Sequence, residues 1–270
     1  MNWARIMTPL AGGAHDAEIL KAGVALAAPF KAELAAVHAP ADIADLMPWM
    51  GEGFMGGVQI TAMDSLKEAA AEGERTARAA VEACGYAKTT LVSLESPVWA
   101  GLSMEGRLSD VVVFDNEAAR GRGPLAEAFQ QIVADEQRPT IVARPGLKTG
   151  GVAVVAWDGG KEASRAARTA LPLLEKASRV VIVAAPAASS RTFDADRLMD
   201  FFALRGVKAE VELLTDSGDA AHLLLAAAGR LSADILVAGA FGHPRLQEYI
   251  FGGTTRTLLN NDGPSLFFSH

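Results

Sequence analysis

The feature that most constrains how this chain can fold is a repeat of its own sequence. Ala11-Gly12-Gly13, an alanine-rich helical stretch, the strand candidate Ala35-Ala36-Val37-His38 and then Ala39-Pro40 come back later in the chain. The second copy reads Asp158-Gly159-Gly160, another alanine-rich stretch, Val180-Val181-Ile182-Val183, then Ala184-Ala185-Pro186. Gly12 to Pro40 spans 28 positions and Gly159 to Pro186 spans 27. The halves also end alike. Leu108-Ser109-Asp110-Val111-Val112-Val113 matches Leu231-Ser232-Ala233-Asp234-Ile235-Leu236-Val237, and Pro139-Thr140-Ile141-Val142-Ala143 matches Pro264-Ser265-Leu266-Phe267-Phe268. One match between alanine-rich helices arises by chance, whereas four in register indicate duplication. The length of 270 residues divides into two domains of ordinary size. They are assigned to 1–146 and 151–270, joined by the linker composition of Pro145-Gly146-Leu147-Lys148-Thr149-Gly150-Gly151.

In the second half short apolar runs alternate with helical patterns. Strand Val152–Trp157 precedes a helix at 161–176, whose Ala163, Ala166, Ala167, Ala170, Leu171 and Leu174 fall at helical spacing. Pro172 should end or kink that helix early. Helix 193–204, strand 208–214, helix 219–231, strand 234–238, helix 245–260 and strand 265–268 complete the series. Such alternation implies parallel βαβ units with right-handed crossovers. The fold class is therefore α/β, two tandem open five-stranded parallel sheets flanked by helices. The first half keeps the frame in degenerate form. Its stretch 42–60 carries Met47, Trp49, Met50, Phe54 and Met55, and packs over its own domain or forms a hydrophobic lid or partner surface. A long helix follows at 63–84. The segment 96–109, broken by Pro97, Gly101 and Gly106, is expected to be short or irregular.

After strand 234–238 comes a glycine ladder: Gly239-Ala240-Phe241-Gly242, nine residues, then Gly252-Gly253-Thr254-Thr255. Glycines at a strand's carboxyl end let backbone N–H groups approach a phosphate, and a helix N-terminus adds partial positive charge. Tight turns use the same residues. The formal charge of −7, with no Lys/Arg run, argues against nucleic acid or an anionic membrane as partner. The single cysteine, Cys84, excludes an internal disulfide and a multi-thiolate metal site. No stretch has the order of a signal peptide or the length of a membrane span. A cytoplasmic location is expected.

Strand-Asp158-Gly159, then Gly239-x2-Gly242-x9-Gly252 with Thr254-Thr255 and a closing strand, resembles the universal stress protein family in its tandem form. The resemblance covers nearly the whole second half and, through the repeat, the frame of the first. It implies dimers or pseudo-dimers formed through the last strands, and ATP, with Mg²⁺ accompanying it, in the subset of members that bind nucleotide. By motif position it implies that Asp158 lies at the adenine and ribose end, with Val183 walling the adenine. Gly239, Gly242, Gly252, Gly253, Thr254 and Thr255 hold ribose and phosphates, and His243 and Arg245 stand beside them as cations. Each residue also has a plainer role. Asp158 can cap the helix at Lys161, the threonine hydroxyls can return to the helix backbone, and Pro244 makes His243 a residue before a helix start.

The chain departs from that pattern in places. Nucleotide-binding members usually have Ser or Thr directly after the third glycine, where this chain has Gly253. A lost hydroxyl donor to a charged oxygen removes about 1.5–3 kcal/mol. In the first half Asp115 and Ala118 stand where Gly239 and Gly242 stand, and Ala11 replaces Asp158. A carboxylate there repels phosphate, so that half is expected to bind no nucleotide in this mode. Ala11-Gly12-Gly13-Ala14-His15-Asp16 faintly resembles the pyrophosphate loop of the adenine-nucleotide α-hydrolases, without its serines. His15, His38, His222, His243 and His270 share no metal-ligand spacing, no nucleophile elbow occurs, and His222 reads as a packing residue. No catalytic or metal residues are assigned, and the room left for enzymatic activity is at most slow ATP hydrolysis. Two functions stay open: a stress-response protein binding ATP or another adenine nucleotide in its second domain, or a non-nucleotide interaction scaffold or small-ligand carrier using 42–60.

Overall fold

A computed structural model of the chain describes residues 2–41, 57–95, 97–184, 195–215, 218–240 and 253–270. Most of the Met-rich stretch 42–60 lies outside them. The chain divides into two compact units, Ala4–Ile132 and Val133–His270, the latter with Met1–Trp3.

The unit Ala4–Ile132 is built on four parallel strands, β1 (Arg5–Leu10), β2 (Glu33–His38), β3 (Thr89–Ser93) and β4 (Val111–Phe114), in the order β3-β2-β1-β4. Strands β1, β2 and β4 are almost wholly buried, as continuous apolar runs are when helices cover both faces of a parallel sheet. Helices Asp16–Ala27, Gly57–Ala83 and Val98–Arg107 supply the cover. The second of these begins six residues ahead of the expected start at 63. The third shows that the segment 96–109, expected to be short or irregular, holds a regular helix of 10 residues. Pro97 occupies its N-cap, where a missing N–H does no harm. Gly101 is a packing residue, because a Cβ there would stand 2.7 Å from a methyl of Leu94.

The second unit holds β5 (Thr140–Val142), β6 (Val152–Trp157), β7 (Arg179–Ala184), β8 (Ala209–Leu213), β9 (Ile235–Gly239) and β10 (Ser265–Ser269). Their order is β8-β7-β6-β9-β10-β5. The first five run parallel, while β5 pairs antiparallel with β10, Ile141 opposite Phe267. The last strand of the first half thus hydrogen-bonds to the last strand of the second. Pro172 acts as expected and splits the helical stretch into Lys161–Thr169 and Leu171–Leu174. Helices Ala195–Ala203, Ala220–Arg230 and Gly253–Asn260 follow. His222 is not a packing residue. It is exposed in the first turn of its helix, with Nδ1 3.0 Å from the Asp219 carboxylate that caps the same helix.

The halves match in detail as well as in strand order. Asp110 Oδ2 accepts the amide protons of Ala4 at 2.6 Å and Arg5 at 3.0 Å, and Asp234 Oδ2 accepts that of Val152 at 2.8 Å. Each carboxylate closes the start of the first strand of its half from the start of the fourth. Gly12 and Gly159, the second residues of the loops after β1 and β6, both have left-handed φ, +75° and +72°.

Candidate functional site at the carboxyl edge of the second unit

Chain order sends β6 to β7 on one side, whereas β9 arrives on the other. The carboxyl ends of β6 and β9 therefore flank the point where the strand order reverses, which is where open α/β sheets take ligands. Val155 is level with Val237, so Asp158 and Gly239 end neighbouring strands at the same edge. Gly242, His243, Arg245 and Gly252 lie outside the described residues.

Asp158 is exposed. Its Oδ1 accepts the amide proton of Gly160 at 2.7 Å, which braces the loop into the Lys161–Thr169 helix. Gly160 is itself the N-cap, and that helix has no side-chain cap, so Asp158 supports the helix start from two positions before the cap. Gly239 has a packing role first: a Cβ on it would stand 2.6 Å from the amide nitrogen of Ala163 and 2.8 Å from Cβ of Glu162. Its bareness lets the N-terminal turn of the helix rest on the end of β9. Gly253 and Thr254 are exposed at the start of the Gly253–Asn260 helix, and open space surrounds the Cβ position of Gly253. Thr255 is turned into the core at 6 % exposure, and Val183 is buried in β7 at 1 %. Of the two threonines, Thr254 is the one placed to meet a ligand.

The corresponding edge of the first unit is closed by its own residues. Asp16, 3 % exposed, turns its carboxylate back into the loop after β1, where Oδ1 accepts from Ala11 N–H at 3.1 Å and Oδ2 from Gly12 N–H at 2.9 Å. The loop amides that could serve an external anion are spent on an internal one. Burial raises the Asp16 pKa against the lowering pull of those bonds and of nearby His38. The backbone of Gly73, from the Gly57–Ala83 helix, lies against Gly12: its carbonyl carbon and oxygen are 2.7 Å from where a Cβ of Gly12 would stand. His38, at the end of β2, is buried beneath that contact, with Nδ1 3.1 Å from Ser93 Oγ. Its pKa is lowered by burial, opposed by the charges of Asp16 and Glu74. Asp115, at the Gly239 position, caps the Asn116–Ala119 helix by accepting from Ala118 N–H at 2.7 Å. The loop sequence at 11–16 was legible, but the role of Asp16 was not. An acidic residue inside the first helical turn reads from sequence as a dipole partner and gives no sign that it folds back.

Among the described residues no group of three His, Cys, Asp or Glu could hold a metal ion, and no helix is long and apolar enough to cross a membrane.

A parallel sheet of order β8-β7-β6-β9-β10, with its crevice between β6 and β9, defines an open α/β domain. The family model described as the Universal stress protein family matches residues 152–261, so this part of the chain is a domain of that family. A universal stress protein from Archaeoglobus fulgidus DSM 4304 has a similar fold, with TM-score 0.68 at 16 % identity, covering 98 % of this chain and 95 % of that one. A protein of unknown function from Pseudomonas aeruginosa PAO1 is also similar, with TM-score 0.57 at 15 % identity, covering 99 % of this chain and 92 % of its own. No curated protein matches the chain at a significant level.

Proposed function

We propose that this universal stress protein is a cytoplasmic stress-response protein that binds one adenine nucleotide, ATP with Mg²⁺, in its second unit. The observation that carries this reading is the shared edge of β6 and β9, where the exposed carboxylate of Asp158 and the glycine Gly239 stand at the ends of neighbouring strands. The chain after Gly239 leads to a helix whose first residues, Gly253 and Thr254, are exposed. An unengaged Asp158 oxygen suits a ribose hydroxyl or an adenine amine, and the amides of a helix start suit phosphate. Charge supports the same half. Residues 4–132 hold 10 Lys and Arg against 17 Asp and Glu, whereas residues 133–270 hold 15 of each. An anion meets less repulsion at the second unit.

The first unit takes no nucleotide in this mode, since Asp16 already occupies its loop amides. Its role is structural. The tandem duplication of the sequence favours an internal pseudo-dimer over a homodimer. Turnover is at most slow hydrolysis. Titration of ATP and Mg²⁺ into the purified chain tests the reading: saturable binding lost in Gly242→Glu is expected, and no binding to folded protein would overturn it.

A further inference from the structure

We infer that Arg144 is a positioning residue for the phosphate end of the nucleotide site, an inference that rests on the reading of that site given above. Arg144 follows β5 and is 7 % exposed. Its Nη1 donates to the carbonyl of Pro264 at 3.0 Å, and its Nη2 to the carbonyls of Leu258 at 2.8 Å and Leu259 at 3.4 Å. Its amide donates to Ser265 Oγ at 3.0 Å. One side chain therefore ties the C-terminal end of the Gly253–Asn260 helix, the turn after it and the start of β10 to the end of β5.

The carbonyls of a helix's last turn lack intrahelical partners, and a cation there complements the negative end of the macrodipole. The planar guanidinium, with five donors in a fixed fork, suits several carbonyls at once where an ammonium does not. Gly263 leaves room for it, since a Cβ there would stand 3.4 Å from Nη1 and 3.1 Å from Leu225. The opposite end of the same helix presents exposed Gly253 and Thr254. A helix of two turns is about 12 Å long and moves as one piece, so holding one end fixes where the amides at the other end point. The adenine and ribose end stands on different elements, the carboxyl ends of β6 and β7. Loss of the Arg144 contacts should loosen the grip on phosphate and spare the grip on the nucleoside.

The test measures ATP and adenosine affinity by calorimetry in the full chain, in wild type, Arg144→Met, Arg144→Lys and Ser265→Ala. Arg144→Met keeps most of the buried volume and removes the donors. It is expected to weaken ATP roughly tenfold, the scale of one charged hydrogen bond, with adenosine unchanged within about twofold. Arg144→Lys restores part of the ATP affinity. Ser265→Ala, which removes only the bond to the Arg144 amide, gives a smaller loss of the same kind and serves if Arg144→Met does not fold. Unchanged ATP affinity in these variants, or equal weakening of ATP and adenosine, would overturn the role of Arg144. A wild-type chain that binds neither ligand would overturn the nucleotide reading itself, and the inference with it.

Discussion

Gly12 and Gly73 meet backbone to backbone, and a Cβ on Gly73 would stand 2.9 Å from His38 Nε2 and 3.5 Å from the Cα of Gly12. The contact seals the carboxyl edge of the first unit at the place where the second unit presents its crevice. Gly73→Ala should therefore destabilise the fold by about 1–3 kcal/mol through overpacking. Gly12→Ala should cost at least as much, because it adds left-handed backbone strain at φ +75°. Urea unfolding of the two variants checks this, and a midpoint equal to wild type for both would show that the edge is open in solution.

Beneath that contact the buried His38 gives the first unit a pH dependence of definite sign. Its pKa is lowered from 6.5, chiefly by burial, so the native state favours neutral imidazole while the unfolded chain protonates at the ordinary value. The stability this contributes is complete above 6.5 and is lost as pH falls through 6.5 toward the native value. Asp16, raised from 3.8 chiefly by burial, acts in the opposite sense. The native state prefers its protonated form, so its contribution is present below 3.8 and lost as pH rises through the native value. The thermal midpoint should fall as pH is lowered from about 7.5 to about 5.5, and His38→Gln should flatten that slope. Thermal scans across this range decide it, and an unchanged slope in His38→Gln would remove His38 from the account.

The equivalent clamps at Asp110 and Asp234 make a matched pair of predictions. Alanine at either position leaves strand-start amides without their carboxylate and should cost about 1–3 kcal/mol. Asparagine, which keeps one acceptor oxygen, should recover part of the loss. Parallel chemical denaturation of the four variants measures it. A neutral Asp234→Ala beside a costly Asp110→Ala would break the structural equivalence of the halves.

Asp158 is exposed and holds one loop amide, so its removal should separate binding from stability. Asp158→Ala is expected to weaken ATP by about tenfold to a hundredfold, the scale of hydrogen bonds to a charged group, with little change in the unfolding midpoint. An affinity equal to wild type would assign Asp158 to bracing the loop alone.

The frame of the fold was legible in the sequence because buried parallel strands leave continuous apolar runs, and because the repeat doubles each signal. Pro172 likewise announced the helix break that is seen. Other features depend on packing that no local pattern carries. Gly101 in the Val98–Arg107 helix reads as a breaker until Leu94 is found pressed against it. His222, in an apolar stretch, is placed outward by the helix phase and held by Asp219. The pairing of β5 with β10 joins residues more than a hundred positions apart. At the site, the ladder and Asp158 were visible as a motif, but the closing of the first edge by Asp16 and the reach of Arg144 to Leu258 were not. Both are side chains meeting backbone groups, a kind of contact that residue spacing does not encode.

The most direct measurement of the central claim is a calorimetric titration of the intact chain with ATP and Mg²⁺. The account predicts saturable binding with one site per chain, abolished by Gly242→Glu in a protein that remains folded. Two sites per chain, or no saturable heat from the folded wild-type protein, would contradict it.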